Sequence, residues 1–366
     1  MVAHKWFPID DLPSDWKSLS EGDLAEVRRI WDRTRGELAE KSKLEDFLQQ
    51  IRREWAIETG VIEGAYNIDR GVTATLIERG IDVTLIPHGT TDKNPERVAR
   101  IVQDHADVLE HLFEFVKAER SLTVGFIRET HAGLLRNQET FTVVDTQGNA
   151  FEQRLELGVY KKLSNSPTRP NGELHEYAPP EHTAAEMDRL VVLHQQHVGN
   201  GVAPDVEAAW LHHAFTQIHP FQDGNGRVAR ALASIVLIKG GLFPLTITRD
   251  ERVAYIAALE MADQGDLRQL IIEISRSLRR QMLRADSIAR ALSPATSVEE
   301  EQRAAVERMV IAGEIPPKEW LKAKEYAASF QSAANESLTN LANRLNADLM
   351  PRNSQYSFSL STGNTR

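Results

Sequence analysis

The chain of 366 residues contains no cysteine, so disulfides, zinc–thiolate centres and cysteine nucleophiles are excluded at once. It has no run of eighteen apolar residues, and so no candidate for a membrane-spanning helix. Met1 to Asp15 lack the charged-then-apolar pattern of a secretory signal; the expected location is cytoplasmic, with no membrane partner. Fixed-period repeats and low-complexity tracts are also missing. Positive charge is in deficit: 43 Lys and Arg face 53 Asp and Glu, a formal net charge of −10. That balance argues against nucleic-acid partners in general, and no helix-turn-helix pattern with a basic recognition helix restores them. The composition is 41% hydrophobic, ample for a core, and the length predicts two or three domains.

The chemistry concentrates in one stretch, His219-Pro-Phe-Gln-Asp-Gly-Asn-Gly-Arg-Val-Ala-Arg230. Upstream, Pro204 and Asp205 open a helical pattern with Leu211, Phe215 and Ile218 on one face. Downstream, Arg227 to Lys239 reads as a second helix, apolar nearly all round and stopped by Gly240-Gly241, so it is expected to be buried. Gly224-Asn225-Gly226 enters that helix. A helix start offers unpaired N–H groups and a positive dipole end, and two glycines let phosphates approach the backbone. Arg227 and Arg230 lie three apart in the first turn, where the dipole disfavours cations, so they imply an anionic ligand. Asp223 supplies a hard oxygen beside the same anion, as Mg²⁺ prefers, and His219 is a candidate general base.

At every fixed position this stretch resembles the Fic family signature, His-x-Phe-x-(Asp/Glu)-Gly-Asn-Gly-Arg-x-x-Arg. Most characterised members transfer AMP from ATP to a hydroxyl side chain of a target protein. The resemblance implies that His219 deprotonates the Ser, Thr or Tyr hydroxyl and Asp223 holds Mg²⁺. It further implies that Gly224, Asn225 and Gly226 seat the α- and β-phosphates, while Arg227 and Arg230 position the β- and γ-phosphates. Gly226 stands where family members that use the nucleotide as phosphoryl donor carry a lysine. The implied fold is mainly α: a helical bundle with a β-hairpin flap over the active site, here with N- and C-terminal helical extensions. Phosphoryl or phosphocholine transfer, AMP removal and a catalytically quiet nucleotide-binding adaptor are the alternatives, and self-modification and a homodimer stay open.

Three regions follow from this: 1–120, helical; 121–280, the Fic domain; and 281–366, a helical extension ending in a polar tail from Pro351. In the first, Phe47, Ile51 and Trp55 recur at four-residue spacing as the stripe of one helix. The segment that follows, Thr59-Gly-Val-Ile-Glu63-Gly64, resembles the family's inhibitory motif, whose glutamate pairs with the second signature arginine, Arg230 here. Trp6, Phe7 and Trp16 are expected to be packing aromatics. Helices are expected over Gly71–Arg79 before Gly80, after Pro95 with His105 in an apolar stripe, and from Leu122-Thr123 to about Leu135.

Two hairpins are predicted. Thr140–Val144 faces Ala150–Leu155, and Gly158–Leu163 faces Glu173–Tyr177, the second corresponding to the flap at about 158–178 on which a target segment would dock by strand addition. Lys161 and Lys162 face the target or nucleotide on this reading, or else a solvated strand edge. A metal site among His194, His197, His212 and His213 is disfavoured, because adjacent histidines diverge and no local carboxylate completes the set. Tyr255, on a helix over 252–261, is implied by the resemblance as a wall of the adenine pocket, with core packing the alternative. In the extension, Val306, Met309, Val310, Trp320, Tyr326 and Phe330 are candidate packing residues.

Overall fold

The computed structural model describes residues 2–20, 24–144, 149–168, 172–292 and 298–314, with scattered positions from 322 to 347. Trp320, Tyr326, Phe330 and the tail from Pro351 lie outside the described residues. Two compact units divide the chain, 1–294 and 295–366. The described part of the second is chiefly one helix, Val298–Ala312, in which Val310 is buried and Met309 exposed.

In the first unit, helices dominate: α1 (Leu24–Glu40), α2 (Leu44–Ile62), α3 (Arg70–Arg79), α4 (Pro95–Lys117), α5 (Val124–Leu134), α6 (Pro180–Gly199), α7 (Pro204–Ile218), α8 (Asn225–Lys239), α9 (Arg252–Ala262) and α10 (Arg268–Leu292). Local chemistry sets the starts. Asn94 accepts from the Arg97 N–H at 3.1 Å ahead of Pro95, and Thr123 accepts from the Phe126 N–H at 3.1 Å. α8 is the central element and packs on α7, α5, α4 and α2. Its residues from Arg227 to Leu237 are all buried, each large aliphatic among them worth about 1.5–3 kcal/mol of transfer free energy. The α2 stripe Phe47, Ile51 and Trp55 is buried as its spacing predicts, as is the α4 stripe through His105. α10 runs unbroken through position 280, where a boundary was expected, and packs on α9, α1 and α7.

The first predicted hairpin forms: β2 (Thr140–Val144) pairs antiparallel with β3 (Ala150–Arg154), Thr140 opposite Arg154. The second does not. Gly158–Leu163 contains no strand, because the Lys161 N–H is spent on Pro220 O at 2.8 Å instead of a ladder. β4 (Leu174–His175) instead pairs parallel with β1 (Val2–His4), and one antiparallel bridge, Thr168 to Leu174, is what remains of the expected turn. Phe7 also departs from expectation: it is 67% exposed, whereas Trp6 stacks on His182 at 5.2 Å.

Burial holds several histidines neutral. Desolvation pushes His105 down to about 3 and His131 to about 4, and takes His212 well below its usual value. Their folded values lie below the unfolded value near 6.5, so the unfolded chain binds the extra protons and stability is lost as pH falls below about 6.5. The raised carboxyls of Glu54 and Asp104 act in the opposite sense only in the more acidic range where carboxyls titrate. His197, held above its usual value against desolvation by its bonds to Glu207 and Asp11, offsets part of the loss near neutral pH. Urea unfolding is therefore expected to show a midpoint that falls steadily from pH 7 to pH 5, with stability decreasing by roughly 1.4 kcal/mol per pH unit for each proton taken up. A flat profile over that range would contradict the neutral buried state.

Candidate active site

α7 ends at His219, which adopts a left-handed conformation (φ 49°, ψ 56°) that a non-glycine residue rarely takes. Pro220 contributes, since the residue before a proline is driven out of the right-handed helical region. The loop that follows is held from both sides. Asn225 accepts from the Phe221 N–H at 2.9 Å and donates to Phe221 O at 2.7 Å. Asn165 donates to the carbonyls of His219 and Phe221, and Lys161 Nζ donates to Ile218 O at 3.1 Å. Thus Asn225 closes the loop on itself, and any contact it offers a ligand comes from its backbone.

The His219 ring is stacked on Tyr177 at 3.7 Å, the planes within 1°. Its Nδ1 faces Thr216 O at 3.2 Å, a group that only accepts, so Nδ1 carries the proton and Nε2 keeps its lone pair. Desolvation and the neighbouring Lys161 charge push its pKa down to about 3, leaving a neutral imidazole at pH 7. Lys161 is itself buried and pulled down to about 7 by desolvation, whereas Lys162 is exposed and paired with Glu156 at 2.7 Å.

Gly224 precedes α8 at φ 79°, and the first bond of the helix runs from the Val228 N–H to Gly224 O at 3.1 Å. The N–H groups of residues 225–227 therefore face the helix mouth. Arg227 is 2% exposed; its Nη2 donates to Gln138 Oε1 at 2.9 Å and lies 3.6 Å from Asp223 Oδ2, while its Nε and Nη1 have no hydrogen-bond partner among the described residues. A buried guanidinium with two unspent donors calls for an anion. Asp223 takes the Gly224 N–H on Oδ1 at 2.6 Å and the Gln138 amide on Oδ2, and its side chain remains 35% exposed. Beneath it, His131 accepts from the Gly158 N–H on Nδ1 and donates from Nε2 to Asp223 O at 3.1 Å.

Arg230 is 1% exposed and turned toward the end of α2. Its Nη1 donates to Glu63 Oε1 at 2.7 Å, Nε to Thr59 Oγ1 at 3.0 Å, and Nη2 to Thr59 O and Oγ1 at 3.0 and 2.9 Å. The pair that the motif resemblance implies is thus formed across 167 positions of sequence. A Cβ at Gly226 would overlap the Glu63 carboxylate, which places that carboxylate at the mouth of α8. Glu63 borders two cavities: one of about 350 Å³ lined by His219, Tyr177, Gly226 and Tyr255, the other of about 620 Å³ lined by Asp223, Arg227, Gln138, Lys93 and Arg97. Tyr255 is buried in the wall of the first, its hydroxyl 2.7 Å from His212 Nε2.

Gln138, Asn165 and Tyr177 were not singled out by sequence reasoning; they sit in loops without periodicity, and their side chains reach the site only through the fold. The local carboxylate judged absent near His194 and His197 exists: Glu207 joins their Nδ1 atoms at 2.6 and 2.7 Å. It arrives from α7, beyond the reach of a reading confined to α6.

A left-handed helix end, a glycine-bearing loop and two buried arginines at a helix start together form an anion-binding site. Residues 121–237 match the Fic/DOC family. Over 63 residues it is 51% identical to a Fido domain-containing protein of Dictyostelium discoideum, 17% of this chain and 43% of that one. Over 97 residues it is 30% identical to the protein adenylyltransferase fic-1 of Caenorhabditis briggsae, 26% of this chain and 19% of that one. The matched stretches span less than half of these relatives. A solved Fic domain-containing signaling protein from Bacteroides thetaiotaomicron superposes with a TM-score of 0.55 at 24% identity, over 71% of this chain and 97% of that one, and so shares the fold.

Replacing Gly224 tests the loop directly. A Cβ there would meet both Leu135 methyls at 2.5 and 2.7 Å, and the left-handed backbone adds strain. Gly224→Ala is expected to destabilise the protein by about 2–4 kcal/mol in urea unfolding. Combination with Leu135→Ala should recover less than the full overlap cost, because the backbone strain remains.

Proposed function

We propose that the chain is a protein adenylyltransferase, transferring AMP from ATP to a Ser, Thr or Tyr hydroxyl of a target protein and held off by its own Glu63. The observation that carries this is the buried anion seat: Arg227 with two unspent donors and Arg230 engaged by a carboxylate at the mouth of α8. A phosphate chain satisfies those donors better than water does, since guanidinium–phosphate bonds are charge-assisted and can be bidentate.

Neutral His219 offers Nε2 to the target hydroxyl and takes its proton as the oxygen bonds to the α-phosphorus. The bond from that phosphorus to the oxygen bridging the β-phosphate breaks, and pyrophosphate leaves. The N–H groups of residues 225–227 and the Arg227 guanidinium bear the developing charge. Asp223 suits Mg²⁺: a hard, part-exposed oxygen beside the seat, with lone pairs left after its bonds to Gly224 and Gln138. The ion, when bound, would neutralise phosphate charge. Tyr255 supports adenine as a wall of the smaller cavity. Glu63 withholds Arg230 Nη1 from the γ-phosphate, so nucleotide can enter in an unproductive pose. A target segment would run beside Tyr177, which stacks on His219.

Incorporation of label from α-labelled ATP, with Mg²⁺ and a lysate as target source, distinguishes the outcomes. Glu63→Gly is expected to exceed wild type by tenfold or more, on the order of one charge-assisted hydrogen bond released, and Glu63→Gly with His219→Ala to fall to background. Equal labelling of wild type and Glu63→Gly removes the gate. Label carried only from γ-labelled ATP overturns adenylyl transfer in favour of phosphoryl transfer.

A further inference from the structure

Away from the phosphate seat, three imidazoles from three segments surround one carboxylate. Asp263, which caps α9, accepts on Oδ1 from His213 Nε2 at 3.0 Å and from the Gln217 amide, and its Oδ2 lies 3.8 Å from His175 Nδ1. Burial raises the Asp263 carboxyl, yet the hydrogen bond from His213 and the nearby imidazoles outweigh it and hold the group below its usual range. His4, brought in by β1, stacks on His175 at 4.4 Å and meets Gln217 Oε1 at 2.7 Å through Nε2. One ligand atom each from His4, His175 and Asp263 lies within 4.8 Å of the other two.

We propose that His4, His175 and Asp263 form a binding site for a divalent transition-metal ion, zinc by preference. Two imidazoles and one carboxylate are a donor set that zinc accepts with an open fourth position. It differs from the single carboxylate that Asp223 offers. Zinc–ligand bonds of about 2.0–2.2 Å require the donors to draw together by roughly 1 Å, a movement open to His4 and Asp263, which are only part-buried. The outer shell is in place. Gln217 fixes the His4 ring through Nε2, leaving Nδ1 as donor, while His213 and Gln217 occupy Oδ1 and direct Oδ2 inward. Entry is through a neighbouring cleft of about 310 Å³ lined by His4, His213, Gln217 and Asp263.

The ion would tie β1 to β4. Glu176 N–H already donates to His4 O at 2.9 Å, and metal bonds to His4 and His175 would make that pairing persistent. His175, Gln217 and Asp263 also line the cavity that holds His219. The proposed docking of a target near Tyr177 supplies the consequence: a filled site keeps residues 2–4 paired with β4, where an incoming strand would otherwise pair. Only this consequence rests on the adenylyltransferase reading.

The full chain, free of any affinity tag and dialysed against chelator, is titrated with zinc by calorimetry and with cobalt by visible absorption. Neither readout involves nucleotide, so failure here is separable from failure of the transferase reading. One equivalent is expected to bind wild type and Asp223→Asn alike, with His88→Gln, an exposed site, unchanged. His4→Gln and Asp263→Asn should each weaken binding by about 100-fold or more, beyond what loss of an outer-shell partner gives. Zinc should also slow hydrogen exchange at the Glu176 amide at least tenfold in wild type and leave it unaltered in His4→Gln. Absence of stoichiometric binding, or binding undiminished in both His4→Gln and Asp263→Asn, overturns the site.

Discussion

Arg230 is a full charge buried at the junction of two helices, and the arrangement of the site depends on how that charge is compensated. An uncompensated cation in such surroundings would cost several kcal/mol, so α8 can be buried in this register only if α2 presents acceptors to it. Thr59 and Glu63 do so with four hydrogen bonds. α2 is in turn part of the core. Phe47, Ile51 and Trp55 are buried along it, Glu58 pairs with Arg249, and Arg284 reaches Glu54 and Gln50. The helix that carries Glu63 is therefore a structural member that cannot leave without unfolding its neighbours.

This divides the work between the two residues that hold the arginine. Thr59 is buried and takes Nε and Nη2; Glu63 is 24% exposed and takes Nη1. A rotation of the Glu63 side chain alone would free one nitrogen while the guanidinium stays anchored by the other two. The electrostatics make that rotation accessible. At the C-terminal end of α2 the dipole disfavours a carboxylate, whereas the mouth of α8 and the Arg230 charge favour it. A phosphate entering the same place gains the second pair of interactions without the first penalty, so anion and carboxylate compete on terms that differ by a few kcal/mol at most.

Much of this was legible because the chemistry of residues 219–230 is contiguous: a helix end, a glycine-bearing loop and a helix start within twelve residues. The buried stripes of α2 and α4 were legible from spacing for the same local reason. The Glu63–Arg230 pair was reachable only through motif resemblance, since nothing local links residues 167 positions apart. Gly158–Leu163 misled because its composition resembles a strand. There the Gly158 N–H is used by His131, the Lys161 N–H by Pro220 O, and the Lys161 ammonium by Ile218 O. Backbone groups committed to a loop cannot also join a ladder, and pattern alone does not reveal that commitment.

The components of the site differ in how firmly they are held. The seat is built on α8, whose residues from Arg227 to Leu237 are buried, and on a loop stapled by Asn225 and Asn165. The walls come from elsewhere: Gln138 before β2, Tyr177 after β4, and Tyr255 and Asp263 on and after α9. Side chains on loops and short strands rearrange at lower cost than a helix locked in the core. Tyr177 links the two sets, because its stacking on His219 ties the orientation of that imidazole to the position of the chain around residue 177. A displacement of the chain around Tyr177 must therefore reach the imidazole as well.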